Sequence, residues 1–118
     1  LLEQLATLIQ AHHIESKVII SSYNQEFTKQ LWTRNDLLSA LDTHNSQDIK
    51  NLSWSNFSYF MTDHANFTPT LLEQTQLAGV DAVAYTVNSI SIAKKLKEIW
   101  VRFIMTDKLK EIRKALEN

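Results

Sequence analysis

The chain has no cysteine, a single glycine and a single proline among its 118 residues. Without thiols it holds neither a disulfide nor a thiolate-bound metal, and its compartment stays undecided. One glycine cannot build a Gly-rich phosphate loop. Charge is nearly balanced, at −1 with 21% charged residues, which leaves no electrostatic footprint for nucleic acid or an anionic membrane surface. No apolar run approaches the ~20 residues needed to span a bilayer, and no signal peptide is visible at Leu1. There is no Ser–His–Asp set at recognisable spacing and no Gly-flanked nucleophile. The length predicts one domain, residues 1–118, with a core of its own.

What is present alternates regularly. Leu1, Leu2, Leu5, Leu8 and Ile9 form a helical apolar stripe with no N-cap before it, so the chain reads as part of a longer protein. Lys17 to Ile20 is a short β-branched run closed by Ser21, Ser22 and Tyr23. Asn24 opens a second helix in which Phe27, Leu31 and Trp32 share a face. Asp36 to Thr43 reads as a strand and Ser46 to Trp54 as a short helix. Asn56 to Met61 alternates aromatic and polar side chains as a strand does. The only proline and the only glycine then bracket a helix: Thr68 caps it, Pro69 takes its first position and Gly79 sits just past its end. Asp81 to Val87 is the next strand, Ser89 or Ser91 caps the next helix, and Arg102 to Thr106 is the last strand. Asp107 is expected to cap a final helix with Leu109, Ile112 and Leu116 turned inward.

A helix followed by up to five strand–helix units predicts an α/β fold, a parallel sheet covered by helices. The strand-like runs begin roughly every 20 residues, against ~30 for an ordinary βαβ unit, so the middle units must be compact. Function in such sheets sits at the strand C-termini. This directs attention to the polar residues that close each apolar run.

Three of those strand ends carry a resemblance. VIISSY (Val18 to Tyr23), AYTVN (Ala84 to Asn88) and FIMTD (Phe103 to Asp107) resemble, in order and spacing, the later strands of glycerophosphodiester phosphodiesterases. The segment HANFTPTLLEQTQLAGVDAVAYTVN looks most like the membrane-anchored branch of that family. The resemblance covers most of the chain. It implies the C-terminal portion of a TIM-type (β/α)8 barrel, and a parent that hydrolyses glycerophosphodiesters to glycerol 3-phosphate and an alcohol. In the family, paired histidines do the acid–base work and acidic residues hold Ca²⁺ or Mg²⁺. The family's His-Arg-Gly, Glu-x-Asp, His-Asp and Glu-x-Lys segments, which bring those groups, do not occur in this sequence. The resemblance therefore implies no catalytic residue and no metal ligand in this chain.

Carried over residue by residue, Ser22 and Tyr23 stand where the family has Ser-Phe, and Tyr85 stands where it has Trp. Both aromatic positions would wall the glycerol part of the substrate, with Thr86 and Asn88 shaping the rim. Two departures stand out. The family's Gly-Val-Asp-Gly before the last strand reads Trp100, Val101, Arg102, Phe103, and Leu109 replaces the proline expected after Thr-Asp. They keep open a second reading, a degenerate, non-catalytic α/β module acting in binding or regulation. A third, a small flavodoxin-like domain, lacks the phosphate loop after its first strand.

Blander readings stand beside these. Tyr23 and Tyr85 could simply fill the barrel interior or its rim. Adjacent His12 and His13 point about 100° apart on a helix and suit its C-terminus better than a metal. His44 and His64 follow strands but have no partner at ligand spacing. Asn51, Asn56 and Asn66 begin N-glycosylation patterns that a chain rich in Asn, Ser and Thr produces by accident. The basic final helix is read as a solvated face. The expected partners are the glycerophosphodiester substrate in the parent, no nucleic acid, and a second copy or the remaining barrel half. Five strands cannot close an eight-stranded barrel. Localisation stays open, with a membrane-anchored parent as the family implies.

Overall fold

The computed structural model describes residues 1–43, 49–50, 52 and 55–117. Helix α1 (Leu2–Ala11) leads to strand β1 (Ile19–Ser22), α2 (Gln25–Trp32) and β2 (Leu38–Asp42). Strand β3 (Tyr59–Asp63), α3 (Pro69–Leu77), β4 (Asp81–Tyr85), α4 (Ile90–Glu98), β5 (Phe103–Ile104) and α5 (Leu109–Leu116) follow. The expected helix over Ser46–Trp54 lies largely outside the described residues. So does His44.

The described strands form one sheet in the order β1-β2-β3-β4-β5, each neighbour parallel. Every connection moves one strand along in the same direction. That is the winding of a barrel wall, and it overturns the flavodoxin-like alternative, whose strand order reverses at a switch point.

The pleat divides the strands between two faces. Ile20, Leu41, Phe60, Ala82 and Ala84 pack under the helices. Leu2, Ala6 and Ile9 from α1, Leu31 from α2 and Leu71 from α3 cover one part. Leu72, Ala93, Leu96 and Ile112 cover the other. On the opposite face Ala40, Met61 and Val83 form a small cluster with Tyr59 and Tyr85. Toward its margins this face is bare: Ile19 is 49%, Phe103 42% and Met105 50% exposed. β3 does not alternate as its aromatic pattern suggested. Phe60, Met61 and Thr62 are all buried, because a central parallel strand is covered on both faces.

Helix starts follow from local chemistry. The side-chain oxygens of Asn24, Thr68 and Ser89 accept from the amides of Phe27, Leu71 and Ile92. Helix ends share a second device. After α1, α3 and α4, the residues His13, Gly79 and Trp100 take left-handed φ values of 54°, 75° and 70°. Their amides, and those of Ile14, Val80 and Val101 that follow, bond back into the last turn. This is the Schellman arrangement, with an apolar residue turned in behind it. Trp100 thus takes a backbone conformation that favours glycine and bears the strain of a Cβ there.

Several sequence expectations are corrected. Leu1 and Leu8 stay exposed and Leu5 is half-buried, so Leu2, Ala6 and Ile9 are the buried stripe of α1. Leu109 is 64% exposed, so α5 is anchored by Ile112 with Leu116 beside it. Asp107 does not cap α5. Lys108 holds that position without a side-chain cap, and the Asp107 carboxylate accepts from the Asn88 amide instead.

A candidate substrate rim at the strand C-termini

The residues that close β1, β2 and β4 converge on the bare face. The β1 chain ends in Ser22, whose hydroxyl takes the Asn24 amide at 3.0 Å as α2 begins. That turn projects Tyr23 outward, 71% exposed. Tyr85, at the end of β4, lies on the same side of the pleat. The two phenol oxygens are 2.5 Å apart although 62 residues separate them. Tyr85 also donates to Asp42 Oδ1 at 2.8 Å, from the end of β2. Two tyrosines and a carboxylate thus form one hydrogen-bonded row across the C-terminal edge of the sheet.

Burial explains the electrostatics of the row. It pushes the Asp42 carboxyl above the usual carboxylate range, while the hydrogen bond from Tyr85, with the Tyr23 hydroxyl behind it, pulls the other way. The Tyr85 phenol is pushed far up, first by burial, then by its bonds to Tyr23 and Asp42. Tyr85 therefore stays protonated, and its one proton faces Asp42.

A second group fixes the last strand. Asn88 Oδ1 accepts from the Thr106 hydroxyl and the Asp107 amide, both at 3.0 Å, and Asn88 Nδ2 donates to Asp107 Oδ2 at 3.2 Å. The Thr106 hydroxyl oxygen in turn accepts from the Lys108 amide. Asn88 therefore ties the turn after β5 to the turn after β4. Thr86 lies exposed beyond β4, and Ser22 is half-buried behind Tyr23. Of the expected rim residues, only Tyr23 and Tyr85 meet directly. Asp42, which joins them, went unnoticed in the sequence. Its signal was an acidic residue closing the apolar run LLSAL.

The donor set does not suit a hard cation, which takes six to eight oxygens for Ca²⁺ or an octahedron for Mg²⁺. Asp42 is engaged by Tyr85, and the Asp63 carboxylate accepts the Ala65 amide. Among the described residues no group of three or more His, Asp or Glu side chains could hold a metal ion. Asn66 donates to the Thr62 hydroxyl, and Thr68 caps α3, so both polar ends of that glycosylation pattern have structural roles. Among the described residues no helix is long and apolar enough to cross a membrane.

No family model matches this chain, and no curated protein matches it significantly. Solved structures do match. A phosphodiesterase of Oleispira antarctica, in complex with the product sn-glycerol-3-phosphate, is 20% identical with a TM-score of 0.72, over 85% of this chain and 42% of that one. A protein assigned as a glycerophosphoryl diester phosphodiesterase from Silicibacter pomeroyi is 15% identical with a TM-score of 0.75, over 92% of this chain and 40% of that one. The chain spans about two fifths of the length of each. At such identities the likeness is one of fold, and it agrees with the resemblance carried by VIISSY, AYTVN and FIMTD. The chain folds as a run of consecutive strand–helix units of the barrel that these phosphodiesterases share.

Proposed function

We propose that this chain is the C-terminal part of a glycerophosphodiester phosphodiesterase barrel. It supplies scaffold and one wall of the glycerol pocket. The meeting of Tyr23 and Tyr85 at the strand C-termini carries this reading. Active sites of such barrels occupy that end, and these residues stand in the family's two aromatic positions. The acid–base histidines and the carboxylates for Ca²⁺ or Mg²⁺ come, on this reading, from segments of the parent that this sequence does not include. The chain alone is then inactive. Incubation of the purified 118-residue chain with glycerophosphocholine should release no glycerol 3-phosphate. Turnover that survives removal of contaminating enzyme would sink the proposal.

The same reading makes the bare face a surface to be covered. β1 and β5 each pair on one side only among the described residues, and open strand edges recruit partners. We expect a second copy or the remaining barrel strands to bury them. Light scattering at high concentration should find more than monomer, and a strictly monomeric chain would count against it. The membrane-anchored branch is the expected home of the parent, and cell fractionation of the full-length product tests that.

One observation favours a non-catalytic binding module instead. Trp100 occupies a left-handed position where the family has glycine, and Phe103 occupies the second glycine position. If the parent's coding sequence lacks intact His-Arg-Gly and Glu-x-Asp segments upstream, this second reading replaces the first.

A further inference from the structure

The Tyr23–Tyr85–Asp42 row has a direction that its geometry dictates. A carboxylate only accepts, so at 2.8 Å the Tyr85 hydroxyl must donate to Asp42 Oδ1. A phenol has one proton. With that proton on the Asp42 side, the 2.5 Å contact requires Tyr23 to donate to the Tyr85 oxygen. Tyr23 then has no proton left to offer. Its exposed oxygen presents lone pairs alone.

We propose that Asp42 is a positioning residue that sets the hydrogen-bond polarity of this rim, making Tyr23 an acceptor for a ligand hydroxyl while Asp42 is ionised. A polyol such as glycerol supplies the matching donor. A phosphate oxygen, itself an acceptor, meets lone pairs and is turned away, which orients a glycerol phosphate with its hydroxyls toward Tyr23. When Asp42 takes up a proton it becomes a donor. The row can then reverse, and Tyr23 turns its hydroxyl outward. Among the described residues, the titratable groups in this row with Asp42 are Tyr85 on β4, which donates to it, and Tyr23 just past β1, which bonds to Tyr85. Asp63, at the end of neighbouring β3, accepts the Ala65 amide. The carboxyl's shift above its ordinary range, caused by burial, brings the reversal nearer to neutral pH. The ligand in this inference rests on the glycerol-pocket reading; the polarity does not.

Carbon-13 NMR of the chain labelled at the tyrosine ζ-carbons tests both parts, with Tyr59→Phe to remove the only other tyrosine. The Tyr23 and Tyr85 signals should move together through one step at the midpoint of the Asp42 carboxyl titration. That step should vanish in Asp42→Asn. In Tyr85→Phe, Asp42 should still titrate while Tyr23 stays flat. Tyrosine signals that ignore the Asp42 titration, or that move equally in Asp42→Asn, would overturn the proposal. With glycerol as probe at neutral pH, the Tyr23 response should fall about threefold to tenfold in apparent affinity in Asp42→Asn, the worth of one hydrogen bond. Inorganic phosphate should leave Tyr23 unmoved, and a phosphate response equal to that of glycerol would overturn the assigned polarity. A coupled step with no glycerol response would support the polarity and sink the glycerol-pocket reading instead.

Discussion

The two faces of the sheet are built from the same five described strands and meet different fates. Phe60, on the covered face, is fully buried beneath helices, while Phe103, on the other, is 42% exposed. β2 repeats the contrast along its length. Asp36, just before the strand, is gripped by Arg34, which also holds Glu3 of α1, and takes a further bond from Gln10. Asp42, at the far end, is half-buried against phenols. Arg34 holds the Asp36 carboxyl below its ordinary range, whereas burial lifts that of Asp42. The covered face and the entry end of β2 are arranged for stability. The bare face leaves Ile19, Phe103 and Met105 open to solvent, and the exit end of the strand holds a phenol–carboxylate bond where the entry end holds ion pairs.

The largest test of this contrast is Phe60→Ala, which should cost about 3–5 kcal/mol in chemical denaturation. Phe103→Ala, which removes an edge-to-face contact with Tyr59 at 5.7 Å, should cost no more than about 1.5 kcal/mol. Equal losses at the two sites would mean that both faces are equally sealed. Trp100→Gly should act in the other direction. Relief of the left-handed strain, less the entropy a glycine adds to the unfolded chain, should stabilise by about 0.5–1 kcal/mol.

Asp36, just before β2, and Asp42, at its end, should respond to pH with opposite signs. The folded pKa of Asp36 is depressed. Its contribution is therefore present above the unfolded carboxylate value and lost as pH falls through the lower folded value. Asp36→Asn should be less stable than the parent chain at neutral pH and converge with it in acid. The folded pKa of Asp42 is raised. Its contribution is fully present below the unfolded value and lost as pH rises through the higher folded one. The parent chain should therefore gain on Asp42→Asn as pH falls across that window. Melting curves of the three proteins across the acid range read both signs, and parallel curves would remove the distinction.

What was legible in the sequence was local. Asn24, Thr68 and Ser89 announced their helices because a cap needs only the next three residues, and Gly79 announced an end for the same reason. The alternation of apolar runs gave the parallel sheet, and the strand-end motifs pointed to the aromatic pair. Asp107 was misjudged because Asn88, 19 residues earlier, captures its carboxylate, and no spacing rule reports that. Asp42 was missed for a related reason. Its partner Tyr85 lies 43 residues along the chain and across an intervening strand. Leu8 and Leu109 look apolar in their helical patterns, yet the covered surface is narrower than those patterns. Tertiary contacts, not propensity, drew the rim.

A glycerol pocket walled by the strand C-termini, as proposed, has a direct consequence for ligand binding. Titration of the 118-residue chain with sn-glycerol 3-phosphate, followed residue by residue by NMR, tests it most directly. The largest shifts should fall on Tyr23, Tyr85 and Asp42, with Asp36 and Arg34 before the start of β2 unmoved. Shifts centred on Arg34 and the entry end of the sheet, or no shift at either tyrosine, would contradict it.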